Sequence, residues 1–450
     1  MSFDDRLWQY NCSDTVITLE CYERIQNNID AMGLREPADF QQVLFSAVLE
    51  SMLRGVRIDV ARRGEYEMLL LDELSRREAW LTRVLGHPLN PRSGKQMQSL
   101  FYGDLRQRVI TKRATGNPTL DDSALAQLGE REPLLLPLIR KIQEVRSIGV
   151  FLSTFVRMPL DYDGRMRTSF NIAGTETYRF SSSENPFGNG GNLENLPKGG
   201  TDDDSDLDLP NIRAMFLPDL GNDFFDIDLS KADLRIVYWE ADAKEGKAML
   251  KEGKDPYIEL AREYFRDPTI NKYREDGTDN PKYKMFKSFA HATHYLGSAR
   301  GISQRIGLTV HETEKTQKWY FERVPEVQKY QERVKNELTK RRYVENIFGY
   351  RWYCFDRIDD NAFRQAAAYI PQSSVACLIN RGYYNIFKNL REVQVLLQVH
   401  DSLAGQFPSH LGDWAKRRVV EECSIPLPYD DPLTIPVGIA TSPVSWGACR

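Results

Sequence analysis

Two aspartates in unlike settings, Asp228 and Asp401, are the residues of this 450-residue chain whose surroundings point most directly to chemistry. Asp228 stands in Phe225-Asp226-Ile227-Asp228-Leu229-Ser230-Lys231-Ala232-Asp233-Leu234-Arg235, and Asp401 in Leu396-Leu397-Gln398-Val399-His400-Asp401-Ser402-Leu403. Between them lies Lys284-Met285-Phe286-Lys287-Ser288-Phe289-Ala290-His291-Ala292-Thr293-His294-Tyr295-Leu296-Gly297. Carboxylates hold divalent ions and a cationic helix holds a polyphosphate, so the trio fits metal-assisted phosphoryl transfer. Magnesium keeps several waters and takes further ligands from substrate phosphates, so two protein carboxylates suffice. In the helical segment, Lys287, His291 and His294 or Tyr295 recur at i, i+4 and i+7 or i+8 on one face, with Met285, Phe289, Ala292 and Leu296 expected on the apolar face opposite. A lysine suits a triphosphate, and an imidazole or aromatic ring can support a base or sugar. The two histidines also raise a zinc site, for which no third ligand stands nearby in sequence.

The elements that must position these groups follow from periodicity. Phe225, Ile227 and Leu229 alternate with Asp226, Asp228 and Ser230, which predicts a strand with acids on its open face. Residues 393–399 predict a second strand, His400-Asp401-Ser402 a tight turn, and 403–407 a returning strand, so one acid sits at a hairpin tip beside the other. Residues 15–30 predict a short helix closed by Gly33. Residues 39–54 predict another, with Val43, Ala47 and Met52 or Leu53 on one side, ending at Gly55. Residues 64–85 predict a helix with Met68, Leu71, Leu74, Leu81 and Leu85 at helical spacing, stopped by Gly86. A helix over 95–102 and a long one over 133–155, its start adjusted by Pro137, complete an arm with a basic tip. Residues 174–200, rich in Ser, Asn and Gly, read as loop, and 256–350 as mostly helical.

Composition is ordinary for a globular protein, with 41% hydrophobic and 28% charged residues, and the length predicts several subdomains. No apolar run is long enough to span a membrane, and the first residues carry no signal or transit pattern. Six scattered cysteines without paired spacing argue against a disulfide or zinc framework and fit a reducing cytoplasm. A net charge of −4 hides an uneven distribution. Residues 201–208 carry five aspartates and no base, whereas 105–120 carry Arg106, Arg108, Lys112 and Arg113 with no acid, a stretch able to follow a phosphate backbone.

These motifs, in this order, resemble the DNA polymerase I family (family A) over nearly the whole length. Asp228 to Arg235 is similar to the family's first palm motif. Lys287 to Gly297 is similar to its fingers helix, especially in the bacteriophage form, and Gln398 to Ser402 to its second palm motif. Thr177-Tyr178-Arg179-Phe180-Ser181-Ser182-Ser183, Asn192-Leu193-Glu194-Asn195-Leu196-Pro197, Pro371-Gln372-Ser373-Ser374 and the thumb-like Asn90 to Gln96 support it. The resemblance implies an α+β right hand: an antiparallel-sheet palm with helical fingers and thumb. Its parts would be a palm and thumb base (36–60), a thumb (61–150), palm (151–240 and 366–450) and fingers (241–365). It implies template-directed DNA synthesis from dNTPs on primer–template DNA, with two Mg2+ ions, for which Mn2+ can substitute, held by Asp228, the Leu229 carbonyl and Asp401. Lys287, helped by Lys284, would grip the triphosphate, and Ser230, Asp233, Tyr257, His291 and Tyr295 would line the nucleotide pocket. Arg179, Asn192, Arg364, Gln372, Gln398 and His400 would touch the primer–template, with Lys112 and Arg113 on its backbone.

The departures from the family are as specific. Ser402 replaces an acid, Asp233 a longer Glu, His291 an aromatic, Tyr283 an arginine, Glu194 a Gln, Ala368 an Asn and Leu296 a Gly. Ribose exclusion and fidelity therefore depart from family expectation more than polymerisation does. Tyr10 to Asp14 with the helix that follows resembles the last motif of the family's 3′–5′ exonuclease, so 1–35 reads as a remnant of that domain. Proofreading is then lost, supplied by a separate exonuclease polypeptide, or, in the plainest alternative, removed by truncation of the chain. The expected location is the cytoplasm, that of a bacterial host if the gene is a phage's. The rival readings are a single-subunit RNA polymerase, opposed by Asp233 and the thumb motif, and a non-catalytic primer–template-binding subunit, opposed by the retention of both metal aspartates.

Overall fold

The computed structural model describes residues 3–112, 115–185, 187–197, 199–201 and 207–449. Arg113 and residues 202–206 of the aspartate run lie outside the described residues.

Helix α1 (Phe3–Ala31) is longer than its expected span and is exposed along most of its length. The chain turns at Gly33, whose φ of +67° is costly for other residues, into α2 (Arg35–Arg54). The buried face of α2 is Leu44, Ala47, Val48 and Ser51, rotated from the expected one: Val43 and Leu53 are exposed. The rotation is set by a polar contact, the Ser51 hydroxyl donating to the Val395 carbonyl at 2.6 Å inside the core.

Helix α3 (Val60–Leu85) starts where the Asp59 side chain accepts from the Arg62 N–H and stops at left-handed Gly86. Its buried side is Leu70, Arg77 and Leu81, while Met68 and Leu71 face solvent. An arginine in an apolar stripe defeats a hydrophobic count. Arg77 is buried because its Nε donates to the equally buried Glu144 at 2.7 Å, on the facing helix α4 (Leu136–Val150). Pro137 sits in the first turn of α4, where its missing N–H has no helical partner to lose. The expected helix over 95–102 is a short α-helix, Gly94–Gln98, widening into a π-helical turn, Ser99–Asp104. Met97, Phe101, Leu125, Leu128, Ile139 and Ile142 close around α3 and α4 as a core of their own.

The main core is built on four antiparallel strands, β1 (Asn222–Leu229), β2 (Gln394–Val399), β3 (Ser402–Pro408) and β4 (Val437–Ser442), in spatial order β2-β3-β1-β4. β1 is covered on both faces where it begins: Phe224 stacks on Trp446 and Phe225 on Phe407. It opens on one face where it ends, with Asp228 exposed between buried Ile227 and Leu229.

Helices fill the rest: α5 (Ala232–Glu240), α6 (Pro256–Phe265), α7 (Pro281–His294), α8 (Val310–Arg323), α9 (Pro325–Arg341) and α10 (Asp360–Asn389). Pro371 lies inside the 30-residue α10. It has no N–H for the Ala367 carbonyl, and the Tyr330 hydroxyl of α9 donates to that carbonyl at 3.4 Å instead. Among the described residues no helix is long and apolar enough to cross a membrane.

Candidate functional site

The turn between β2 and β3 is two residues long, His400-Asp401, with Val399 paired to Ser402. Such hairpins need a positive φ, and His400 takes it at 57°, a position glycine usually fills. A strained non-glycine residue persists where its surroundings over-determine it. The register places Ser402 directly opposite Asp228, which brings Asp401 beside Asp228. Ser402, the residue directly opposed to Asp228, has its Cβ about 5 Å away, and Asp401 is its neighbour at the hairpin tip. On its other side Asp228 is opposed by Gly438, so both of its cross-strand partners are small. The donors on offer, two carboxylates and the Leu229 carbonyl, are hard oxygens of the kind Mg2+ prefers.

After Leu229 the chain turns through Ser230, whose N–H donates to the Pro436 carbonyl, and left-handed Lys231 into α5. Asp233 in its first turn meets His291 of α7, Nε2 to Oδ2 3.4 Å. Burial opposes ionisation of Asp233, but His291 and the field of Arg179 outweigh it and hold the carboxyl below its usual range. The Tyr295 ring packs edge-on to His291, centroids 4.7 Å apart, and burial together with the nearby Asp233 keeps its phenol protonated.

Helix α7 is rotated from its expected setting. Its buried face is Tyr283, Phe286, Phe289, Ala290, Thr293 and His294, whereas Met285 and Ala292 are half-buried. His294 therefore belongs to the core, its Nε2 2.6 Å from the Tyr320 hydroxyl, and burial lowers its pKa to about 3. The two histidines thus turn to different partners, which separates them as ligands of one zinc ion. Lys287 is exposed on the side of His291. Lys284, also exposed, pairs with Asp279 at 3.2 Å. Tyr283 donates to Asp255 at 3.3 Å, and Lys231 pairs with the same carboxylate at 3.4 Å.

Around this point several buried polar atoms find no hydrogen-bond partner among the described residues: Arg179 Nε, Glu194 Oε1, Asp233 Oδ1, Tyr295 Oη and Gln398 Oε1. Each orphan costs on the order of 1–3 kcal/mol, so their concentration here marks groups arranged for something other than stability.

Two expected contact residues are not presented. Tyr257 is 3% exposed near the start of α6, beneath Asp233, and Gln398 is 1% exposed, donating to Asn380 at 3.1 Å. Strand and helix spacing does not show what packs over a side chain, and α10, which carries Asn380, lies against Gln398. Arg179, Arg364 and Gln372 are half-exposed and His400 is exposed. Asn192 is half-exposed, and its Oδ1 accepts from Ser182 and from the Glu194 N–H. Lys112 is exposed in the arm, apart from the sheet. Sequence reasoning missed Asp255, whose signal was its helix-capping place before Pro256.

A family model described as DNA polymerase family A matches residues 62–443. Among relatives, the thermostable DNA polymerase I of Thermus filiformis is 29% identical, over 88% of this chain and 46% of its own length. The DNA polymerase I of Pseudomonas aeruginosa is 25% identical over 96% and 47%. The chain spans about half the length of these relatives. The POL domain of Pol1 from M. smegmatis, in complex with DNA primer-template and dNTP, matches with a TM-score of 0.79 over 96% of this chain and 74% of that one, at 22% identity. The expected α+β right-hand architecture is the fold the two share.

Proposed function

The chain belongs to DNA polymerase family A, and from that membership we propose that it is a template-directed DNA-dependent DNA polymerase, extending a primer 3′-hydroxyl with dNTPs and releasing pyrophosphate. The observation that carries this reading is the strand register that sets Asp401 beside Asp228, with α7 presenting Lys287, His291 and Tyr295 at the same site. Asp228, Asp401 and the Leu229 carbonyl would hold two divalent ions, magnesium with manganese able to substitute. Bound there, the ions supply an activated 3′-hydroxyl and a stabilised leaving group.

The chain's own groups do the rest. Lys287 neutralises the triphosphate as charge moves onto the leaving pyrophosphate. Asp233, held by His291, stands against the sugar, and Tyr295 backs the templating pair. Arg179, Arg364, Gln372 and His400 position the primer–template, with Lys112 and Arg113 following its backbone. Residues 61–150 act as thumb, 241–365 as fingers, and 151–240 with 366–450 as palm.

Primer extension tests the reading. A labelled primer annealed to a template is expected to gain the complementary dNTP, one position at a time, in the presence of Mg2+. Addition that ignores the template, or that uses only ribonucleotides, would overturn it.

A further inference from the structure

Glu194 is a carboxylic acid in a place built for a neutral group. It is 9% exposed, in a loop locked from within: its N–H donates to Ser182 Oγ at 3.2 Å and to Asn192 Oδ1 at 3.1 Å. Its neighbour Leu193 and Leu196 two residues on are buried in the main core, so the side chain cannot swing out to water without unseating the loop. Yet Glu194 Oε1 finds no hydrogen-bond partner among the described residues. Among the described residues the charged group that faces it is Arg179, whose Nε is also buried and unpartnered. Opposite charges therefore share one pocket with neither of these atoms hydrogen-bonded. Arg179 cannot serve Glu194 alone, because it also faces Asp233 from α5 and His400 from the hairpin. Arg213 is engaged elsewhere, donating to the Leu196 carbonyl at 3.2 Å and standing 3.8 Å from Asp226.

A carboxylate so placed is short of donors, and burial pushes the Glu194 carboxyl up to about 7 against the pull of Arg179. In its neutral form the group presents one O–H donor beside one carbonyl acceptor, the pattern of a carboxamide. The minor-groove edges of all base pairs present acceptors, purine N3 and pyrimidine O2. A neutral acid can donate to such an acceptor. An ionised one sets acceptor against acceptor and adds negative charge beside a polyanion.

We propose that Glu194 works as a neutral acid, donating a hydrogen bond to an acceptor of the bound primer–template, and that its ionisation weakens DNA binding. This rests on the polymerase reading and adds to it a pH-sensitive positioning residue. The sign is fixed by the chemistry: the donor is present below about pH 7 and lost above it.

The test is equilibrium binding of a fluorescent primer–template, by anisotropy, to the wild type and Glu194→Gln from about pH 6 to about pH 8.5. The amide donates at every pH, so pH effects shared by both proteins cancel in the ratio of their affinities. Wild-type affinity relative to Glu194→Gln is expected to fall about thirtyfold across that range, following the fraction of neutral acid for a pKa of about 7. An unchanging ratio would overturn the proposal. Should the amide variant fold poorly, the wild-type profile alone decides, since affinity without a fall centred near neutrality contradicts it. Templated dNTP addition by the wild type at about pH 6.5 is scored alongside: its absence counts against the polymerase reading, whereas its presence with a flat binding ratio counts against Glu194 alone.

Discussion

Lys284 and Lys287 stand one turn apart on α7, and the structure separates their roles. Lys284 is engaged by Asp279, whereas Lys287 is exposed beside His291. Lys287→Ala is expected to lower kcat/KM for dNTP by about a hundredfold or more, the scale of losing one charge-stabilising group, and Lys284→Ala by less than about tenfold. Single-nucleotide kinetics check this, and the opposite order would mean that the helix turns its other side to the substrate. Asp233 is a second point of choice. It is one methylene shorter than the family's usual Glu, and lengthening it fills space beside the sugar C2′. Asp233→Glu should raise the dNTP-over-rNTP preference, and equal preferences in the two proteins would contradict that role. The strand-end place of Asp228, the hairpin-tip place of Asp401 and the exposure of Lys287 were legible in the sequence because alternation and helical spacing tell which way a side chain points. The burial of Tyr257 and Gln398 was not legible, because spacing does not tell what packs on top. Glu194 was visible only as a substitution, since its burial depends on how Ser182 and Asn192 fold its loop.

At the scale of elements, the strands β1, β2 and β3 and the helices α1 to α4 and α7 were legible from periodicity, whereas β4, α5 and α10 were not predicted, and the buried faces of α2, α3 and α7 were shifted by polar groups in the core. On α7 the apolar count missed His294, which lies buried against Tyr320. Its pKa of about 3 in the fold lies below the usual histidine value, so the unfolded chain takes up a proton first as pH falls. The stability this neutral histidine allows is complete above about pH 6.5 and is lost progressively toward pH 3, by up to about 1.4 kcal/mol per pH unit. Urea unfolding should show this slope in the wild type and a shallower one in His294→Gln, and identical slopes would refute it. On α3 the hidden polar group is Arg77. Glu144→Ala removes one of the carboxylates that hold that buried guanidinium, at a cost of about 3 kcal/mol. A loss below about 1 kcal/mol in urea unfolding would show that the pair does not hold the arm together.

Over the whole molecule, the order of motifs along the chain foretold the architecture, because the motifs around Asp228, Asp401 and His291 sit on elements that the sheet and α7 bring together, while Asn90 to Gln96 lies in the arm. What the order could not convey is how distant pieces complete one another. Tyr330 of α9 serves the carbonyl freed by Pro371, and Ser51 of α2 reaches the strand leading to the hairpin. The arm packs around its own core, so its integrity and that of the sheet are separable, and binding of DNA need not depend on the chemistry at the hairpin tip. That separation gives the most direct test of the central claim, that Asp228 and Asp401 form one metal-holding pair. Asp401→Ala is compared with the wild type for single-turnover nucleotide addition and for primer–template affinity. The account predicts that addition falls by about a thousandfold or more while affinity changes by only a few-fold, because phosphate contacts elsewhere dominate binding. Near-normal addition by Asp401→Ala would contradict it.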